Sequence, residues 1–341
     1  MPSKAAISDG SFQKTHLTTR SYCFILKSNR DFSGSRVKSL FRRRTREGGW
    51  LAISVEPDAV LFAHGVAEAP ARCKVTRCGA RPLGAAQADM QRVARELEAD
   101  RYQCLTLLGP DQYQLLLVEA PNVPAAELKA AVRWRLKDML DYHVDDATVD
   151  VLDIPPDPSG AQRAHSMYAV AARNDVVQQC IGRLESAGVP LTVIDIAETA
   201  QRNIAALFES PDRALAFLYF GADHSLLTIN YHAELYLARR IEVTARQLAL
   251  DEPRERVLLE LQRSFDHFER QFPFASVEKL MVGPEPSDTG MVAYLSANLG
   301  LPVQAARLEE VLDVAGGLGE DHGWRLFHVL GASLRADSKA L

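Results

Sequence analysis

The sequence predicts an α/β protein of two related lobes, and three observations predict it. First, Leu215–Val243 (LAFLYFGADHSLLTINYHAELYLARRIEV) reads as three strands and two tight turns. Phe217–Phe220 is an apolar run, Gly221-Ala222-Asp223 breaks it, and Ser225–Tyr231 and Glu234–Ile241 follow as alternating segments. Strands carry a period of two, and Gly with Asp supplies the turn. Second, a weaker copy of this meander stands at Trp50–Val66 (WLAISVEPDAVLFAHGV), with Pro57-Asp58 at its turn. Third, a chain of 341 residues exceeds the roughly 250–300 at which a single core stops growing. Each half is therefore expected to open with a hairpin.

Hydrophobic residues make up 47% of the chain and charged residues 24%, the balance of a soluble globular protein. The net charge of −5 conceals an asymmetry, because residues 1–47 carry +8 and the rest −13. A basic arm on an acidic body suits an anionic surface such as the cytoplasmic leaflet of a membrane, where each Lys or Arg contributes about 1 kcal/mol. A solvated leader without a role is the plainer reading. The acidic body speaks against nucleic acid. No apolar run approaches the roughly 20 residues of a spanning helix, and Tyr22–Leu26 is too short and too deep for a signal-peptide core. The expected location is the cytoplasm. The five cysteines (Cys23, Cys73, Cys78, Cys104, Cys180) are odd in number and scattered, as reduced structural thiols are, and no His spacing completes a zinc site.

The elements follow in order. Met1–Glu47 is rich in Ser and Arg with weak periodicity, so its first thirty or so residues read as disordered or as an over-long start. After the first hairpin, Lys74–Ala80 reads as a third strand. Ala85–Asp100 reads as a helix with Met90, Val93, Ala94 and Leu97 on one face. Cys104–Leu108 and Tyr113–Glu119 are short strands around Gly109-Pro110-Asp111, and they are read with the first sheet. Val123–Leu140 opens a different unit, a helix with Pro124 at its first position and an inward stripe of Leu128, Val132, Leu136 and Met139 or Leu140. Strands at Asp150–Ile154 and His165–Ala172 flank a turn at Pro155–Gly160.

Asn174 or Asp175 caps the next helix, with Val177, Cys180, Ile181 and Leu184 inward and Gly188 and Pro190 as the stop. Leu191–Ile196 reads as a strand, Glu198–Phe208 as a helix, and Ser210-Pro211-Asp212 hands over to the central meander. Beyond it lie a long amphipathic helix at Glu255–Phe272 (Leu258, Leu261, Phe265, Phe268 and Phe272 in register) and a strand at Val277–Val282. A helix at Thr289–Leu299, a short strand from Val303 and a terminal helix at Trp324–Leu334 complete the chain.

Four stretches in this order carry a family resemblance: PNVPAAELKAAVRWRLKDMLDYHVDDATVDVLDIP (Pro121–Pro155), ARNDVVQQCIGRLESAGVPLTVIDIAETAQRNIAAL (Ala172–Leu207), LLELQRSFDHFERQF (Leu258–Phe272) and VLGASLR (Val329–Arg335). Over about residues 38–336 the chain resembles the actin-like PilM/MshI family, which serves the assembly of type IV and mannose-sensitive haemagglutinin (MSHA) pili. The basic FRRR followed by GGWLAISV is more similar to the MshI branch. The order of the stretches is specific; no single one is diagnostic.

The resemblance implies an actin-like fold of two lobes on ribonuclease-H-like sheets, with a subdomain inserted in the first. Its expected divisions are a basic arm at 1–47, a first lobe at 48–210 with the insert at about 121–172, and a second lobe with the C-terminal helix at 211–336. The meander repeat points to the duplication independently.

The resemblance also implies where a nucleotide would sit. Actin-like ATPases hold phosphates between two hairpin turns, the first usually Asp-Ile-Gly followed by Ser or Thr. The Asp positions a metal-bound water, and the small residues let backbone N–H groups approach the phosphates. Here Ser54 stands at the Asp position and Glu56 at the Gly position, while Pro57 removes a donor. The second turn keeps Gly221 and Ser225 but carries Asp223, which repels phosphate. Where the family has a Gly-Gly-Gly run near the adenosine, this chain has Gly283-Pro284-Glu285-Pro286. A degenerate nucleotide site is expected, comprising Ser54, Glu56, Gly221, Asp223, Ser225 and Gly283. No catalytic or metal-ligating residue is expected, and ATP with Mg²⁺ is the one cofactor the fold would suggest.

Other chemistry is not signalled: the sequence holds no GxxxxGK[ST], GxSxG, HExxH or EF-hand loop. Asp145, Asp146, Asp150 and Asp153 read as a solvated acidic rim. His64, His143, His224 and His267 read as surface or satisfied core histidines. The expected function is a cytoplasmic scaffold of a pilus assembly platform, peripheral to the inner membrane. The resemblance implies as partners other platform proteins and the cytoplasmic N-terminal tail of a small single-span membrane protein. A working ATPase or sugar-kinase-like enzyme is the rival reading, opposed by Ser54, Glu56, Pro57 and Pro284. A cell-division tether of the FtsA kind would need a C-terminal amphipathic helix, and Arg335–Leu341 is too short and polar for one.

Overall fold

The protein is described by a computed structural model, which covers residues 47–66, 73–84, 87–157, 165–318 and 322–336. The basic arm, the start of the helix expected from Ala85, the second half of the Pro155–Gly160 turn and the last five residues lie outside the described residues.

In the first lobe, β1 (Trp50–Val55), β2 (Ala59–Val66) and β3 (Cys73–Pro82) form an antiparallel meander, followed by α1 (Gln87–Glu96) and β4 (Gln103–Leu107). A separate unit comes next: β5 (Tyr113–Glu119), α2 (Ala125–Arg135), β6 (Ala147–Asp153) and β7 (Ser166–Arg173). Then α3 (Asn174–Ser186) and β8 (Leu191–Asp195) lead to α4 (Ala197–Ala205). The second lobe holds β9 (Ala214–Phe220), β10 (Ser225–Tyr231), β11 (Glu234–Ile241), α5 (Asp251–Gln271), β12 (Val277–Val282), α6 (Met291–Asn298) and β13 (Val303–Ala305). The chain closes with α7 (Leu308–Val311), β14 (Leu312–Val314), α8 (His322–Arg325) and α9 (Phe327–Ser333).

The two large sheets repeat one plan. The first runs β14-β3-β2-β1-β4-β8 and the second β11-β10-β9-β12-β13. Setting β14 aside, both follow the order third, second, first, fourth, fifth, with an antiparallel meander and two parallel strands beside its first member. The predicted meanders are thus the opening elements of two equivalent sheets. β9 and β10 are buried at every position; β9 accordingly reads as a near-continuous apolar run, whereas β10 keeps Ser225, Thr228 and Asn230 among its apolar residues. The expected face of α1 is also in place: Met90, Val93, Ala94 and Leu97 are buried against Ile53, Val60 and Phe62 of the first sheet.

The structure corrects four readings. β5 does not join the first sheet; it pairs with β7 in a three-stranded sheet ordered β5-β7-β6. The inserted unit thus takes its first strand from before Pro121. The helix expected at Val123–Leu140 ends at Arg135 and passes into a 3₁₀ turn over Leu136–Asp138, with Pro124 as its N-cap rather than its first residue. Val132 and Leu136 are buried, but the change of pitch turns Met139 outward, where it is 45% exposed. The acidic rim is not uniformly solvated, since Asp150 is buried and paired with Lys129 Nζ at 2.7 Å.

The fourth correction concerns the C-terminal segment. It is not an appendix of the second lobe. β14 adds a parallel strand to β3 (Leu312↔Cys73, Val314↔Val75), and α9 packs on the first sheet and α4. Gly331 is needed at that crossing, because a Cβ there would collide with the Ala200 carbonyl oxygen of α4. Its own carbonyl accepts from Asn203 Nδ2 at 2.9 Å.

Candidate functional site

A four-residue helix, α8, lies between the two equivalent hairpins and touches both. α8 is too short to be stable alone; it is held by what it touches. On the first-lobe side, Arg325 donates from Nε and Nη2 to Glu56 Oε2 at 2.8 and 2.5 Å, and from Nη2 to Asp58 Oδ1 at 2.5 Å. The hairpin itself is closed by the Glu56 N–H donating to the Ala59 carbonyl at 2.9 Å. Ser54 sits half-buried on β1 opposite Leu61.

On the second-lobe side, Trp324 Nε1 donates to the Phe220 carbonyl at 2.6 Å and Tyr219 Oη donates to the Trp324 carbonyl at 3.0 Å. Immediately after α8, Phe327 stacks on Tyr219 at 4.7 Å and on Phe217 at 5.4 Å. His328 stands edge-on to Tyr219 at 4.6 Å. Burial, and then the neighbouring His224, pushes the His328 imidazole down to about 3. At the third loop, Gly323 lies against Pro284, with 3.9 Å from the position of a glycine Cβ to the proline Cβ.

α8 thus touches the first turn at Glu56 and the end of β9 at Phe220, while donors of Gly221, Ser225 and Gly283 are engaged within the second lobe. The Gly221 N–H is given to the His224 carbonyl at 3.0 Å, and its own carbonyl accepts from Ala245 N–H at 2.9 Å. A Cβ at Gly221 would meet that same His224 oxygen, so glycine is required by the hairpin's own closure. Ser225 is buried and donates its hydroxyl to the Val243 carbonyl at 2.5 Å, while the Gly283 N–H goes to the Leu218 carbonyl at 2.7 Å. Asp223 is exposed at the turn. An anion cradle needs several convergent free N–H groups. At one turn two carboxylates stand beside a proline, and at the other the Gly221 amide is engaged by the hairpin's own closure. Among the described residues, no group of three or more His, Cys, Asp or Glu side chains could hold a metal ion.

Two buried ionic contacts fix the surroundings. Glu198 of α4, buried in the first lobe, accepts from Tyr113 Oη of the inserted unit at 2.5 Å and from Arg240 Nη2 of the second lobe at 3.2 Å. Arg240 also donates to the Pro110 carbonyl at 2.6 Å and lies 4.6 Å over the Tyr113 ring. One carboxylate thus ties three units together. Nearby, Arg335 Nη1 meets Asp195 Oδ2 at 3.1 Å with both side chains buried, pinning the end of α9 to the strand-to-helix corner of the first lobe.

Sequence reasoning missed Trp324, Arg325, Glu198 and Arg240. Arg325 and Glu56 are 269 residues apart, and no local pattern links them. The signal for Arg325 was the acid at the glycine position of the first turn, which calls for a counter-charge. Among the histidines, His64 is a satisfied core residue, bonded to Thr76 Oγ1 at 2.6 Å and the Gly48 carbonyl at 3.0 Å.

No protein-family model matches the chain, and no curated protein matches its sequence. Among solved structures, it is similar to a chain of the PilM–PilN type IV pilus biogenesis complex (TM-score 0.64, 19% identity, covering 84% of this chain and 97% of that one). It is also similar to the cytoplasmic domain of EpsL, an inner membrane component of the type II secretion system of Vibrio cholerae (TM-score 0.48, 15% identity, 85% and 97%). A third likeness is a protein of actin-like ATPase fold from Bacteroides thetaiotaomicron (TM-score 0.46, 9% identity, 77% and 92%). The fold is accordingly actin-like. Within that class the chain is similar in fold to the PilM–PilN complex chain.

Proposed function

We propose that this chain is a cytoplasmic, actin-like scaffold of a type IV or MSHA-type pilus assembly platform. It binds the cytoplasmic N-terminal tail of a small single-span membrane protein, is held by that partner at the inner membrane, and does not hydrolyse ATP. The observation that supports the reading is α8, which contacts Glu56, Phe220 and Pro284, one residue at or beside each of the three loops that an ATPase would turn toward its nucleotide. The PilM–PilN structure, to which this chain is similar, is by its name a biogenesis complex, and that likeness supports an assembly role.

The inserted unit offers a place for the tail. β5 is an edge strand, its far side unpaired among the described residues, and Leu117 is 44% exposed on it. β5 begins at Tyr113, whose hydroxyl reaches Glu198 in the first lobe, so the open edge starts at the junction between insert and lobe. An extended peptide laid along such an edge gains backbone hydrogen bonds, with apolar side chains setting specificity. Excision of Val123–Ala172 would remove β7 and strip β5 of its partner, so a point variant is the sharper probe.

Co-purification from native membranes identifies the single-span protein. Its synthetic tail is then titrated against wild type and Leu117→Arg by fluorescence anisotropy. Micromolar binding that weakens at least tenfold in the variant is expected. Unchanged binding places the tail elsewhere, and turnover of ATP by the purified chain would sink the scaffold reading.

A further inference from the structure

We propose that the two lobes are latched at one spacing by the protein's own side chains, with the inserted sheet as the strap, so that no ligand is needed to hold them there. α4 follows the last strand of the first sheet and carries Glu198 and Gln201 three residues apart, hence on one helical face. Both side chains are buried, and both reach into other units. Glu198 takes its hydrogen bonds from Tyr113 of β5 and Arg240 of β11. Gln201 Nε2 lies 2.9 and 3.1 Å from the Phe217 and Leu226 carbonyls and 3.0 Å from Thr228 Oγ1, all in the second sheet. A small shift between the lobes would leave a buried carboxylate and a buried amide without these partners. A large one would wet the apolar residues around them.

The strap is made by two tyrosines. In the β5–β7 register Leu117 faces Tyr168 and Tyr113 faces Ala172, so Tyr113 and Tyr168 stand on one face of the inserted sheet. α2 covers the opposite face, through Val118 and Ala169. Tyr113 reaches α4 of the first lobe. Tyr168 reaches the second lobe: its hydroxyl donates to the Tyr236 carbonyl at 3.4 Å and accepts from the Ala238 N–H at 2.9 Å. Both groups belong to β11, the edge strand of the second sheet, and an edge otherwise leaves such groups open to pairing.

The apolar packing agrees with the polar contacts. One continuous cluster runs from Val170 of the inserted sheet through Ile194 and Ile196 of the first lobe to Leu237 and Ile241 of the second. Domains that meet through a small polar interface move relative to one another by default; a core shared by three units removes that freedom. The chain is then a rigid adaptor, and whatever docks on the inserted unit keeps one position relative to both large sheets.

The test uses the full chain with one spin label on α3 at Glu185 and another on α5 at Glu269, both exposed. Each is attached through an unnatural ketone side chain, which leaves the native cysteines untouched. Double electron–electron resonance on the ligand-free protein is expected to give one narrow distance distribution. Arg240→Ala takes the cation from Glu198 and should broaden that distribution or add a second distance. Tyr168→Phe removes one hydroxyl and keeps the ring, and it should speed hydrogen exchange at the Ala238 amide at least about tenfold. Two distances in the ligand-free wild type overturn the proposal, as does an Arg240→Ala distribution as narrow as the wild type's. Unchanged Ala238 exchange in Tyr168→Phe overturns it too. Should circular dichroism show that Arg240→Ala is unfolded, Arg240→Lys is read in the same way, since it keeps the charge but loses the two-pronged grip on Glu198 and the Pro110 carbonyl.

Discussion

The two hairpin turns are equivalent in topology and opposite in chemistry. The β1–β2 turn is polar and half-open, and it meets α8 through an ion pair of Arg325 with two carboxylates that are themselves 34% and 71% exposed. The β9–β10 side is buried and aromatic, and it meets the same segment through Trp324, Phe327 and Tyr219. A solvent-screened ion pair contributes at most about 1 kcal/mol, whereas a buried aromatic contributes several. The second lobe therefore contributes most to holding α8 and Phe327, and the Arg325 ion pair with the first lobe orients them.

The largest expected effect tests that asymmetry directly. Phe327→Ala removes a fully buried ring stacked on two others and should cost about 3–5 kcal/mol, read from chemical denaturation midpoints. A loss below 1 kcal/mol would mean that the segment is anchored elsewhere.

Next comes acid. The His328 imidazole is held down to about 3 by burial and then by His224, while an unfolded histidine titrates near 6.5. Below pH 6.5 the unfolded chain binds more protons than the folded one. Stability is therefore full above that pH and falls toward pH 3, at up to about 1.4 kcal/mol per unit. Melts at pH 7.5 and 5.0 should show a loss of about 2 kcal/mol that His328→Gln flattens. An equal slope in the variant would assign the effect to other groups.

Arg325→Ala is expected to cost only about 0.5–1 kcal/mol. A loss as large as that of Phe327→Ala would reverse the comparison. The smallest effect is the response to nucleotide. Titration of ATP with Mg²⁺ into wild type and into Arg325→Ala should give no binding tighter than about 1 mM, since removing the arginine bares Glu56 and Asp58 rather than a donor. Micromolar binding in the variant would show that α8 masks a working site.

The sheets were legible because buried strands announce themselves: the β9 and β10 runs and the Gly221 turn need no partner to be recognised. Sheet membership was less so. Tyr113–Glu119 reads as a strand in either sheet, and only tertiary pairing assigns it to β7. Met139 was misread because a 3.6-residue stripe was carried past Arg135, where the pitch tightens. Trp324–Leu334 reads as one terminal helix, and neither its break after Arg325 nor the contacts of its first turn with Glu56, Phe220 and Pro284 were legible. HGWR has no period and spans one turn, and every partner that holds it lies far away in sequence.

Because β14 and α9 finish the first sheet, the lobe that begins at Trp50 takes its edge strand and covering helix from beyond the second lobe in sequence. The two lobes are interleaved along the chain, and a truncation after β13 would strip the first sheet of both.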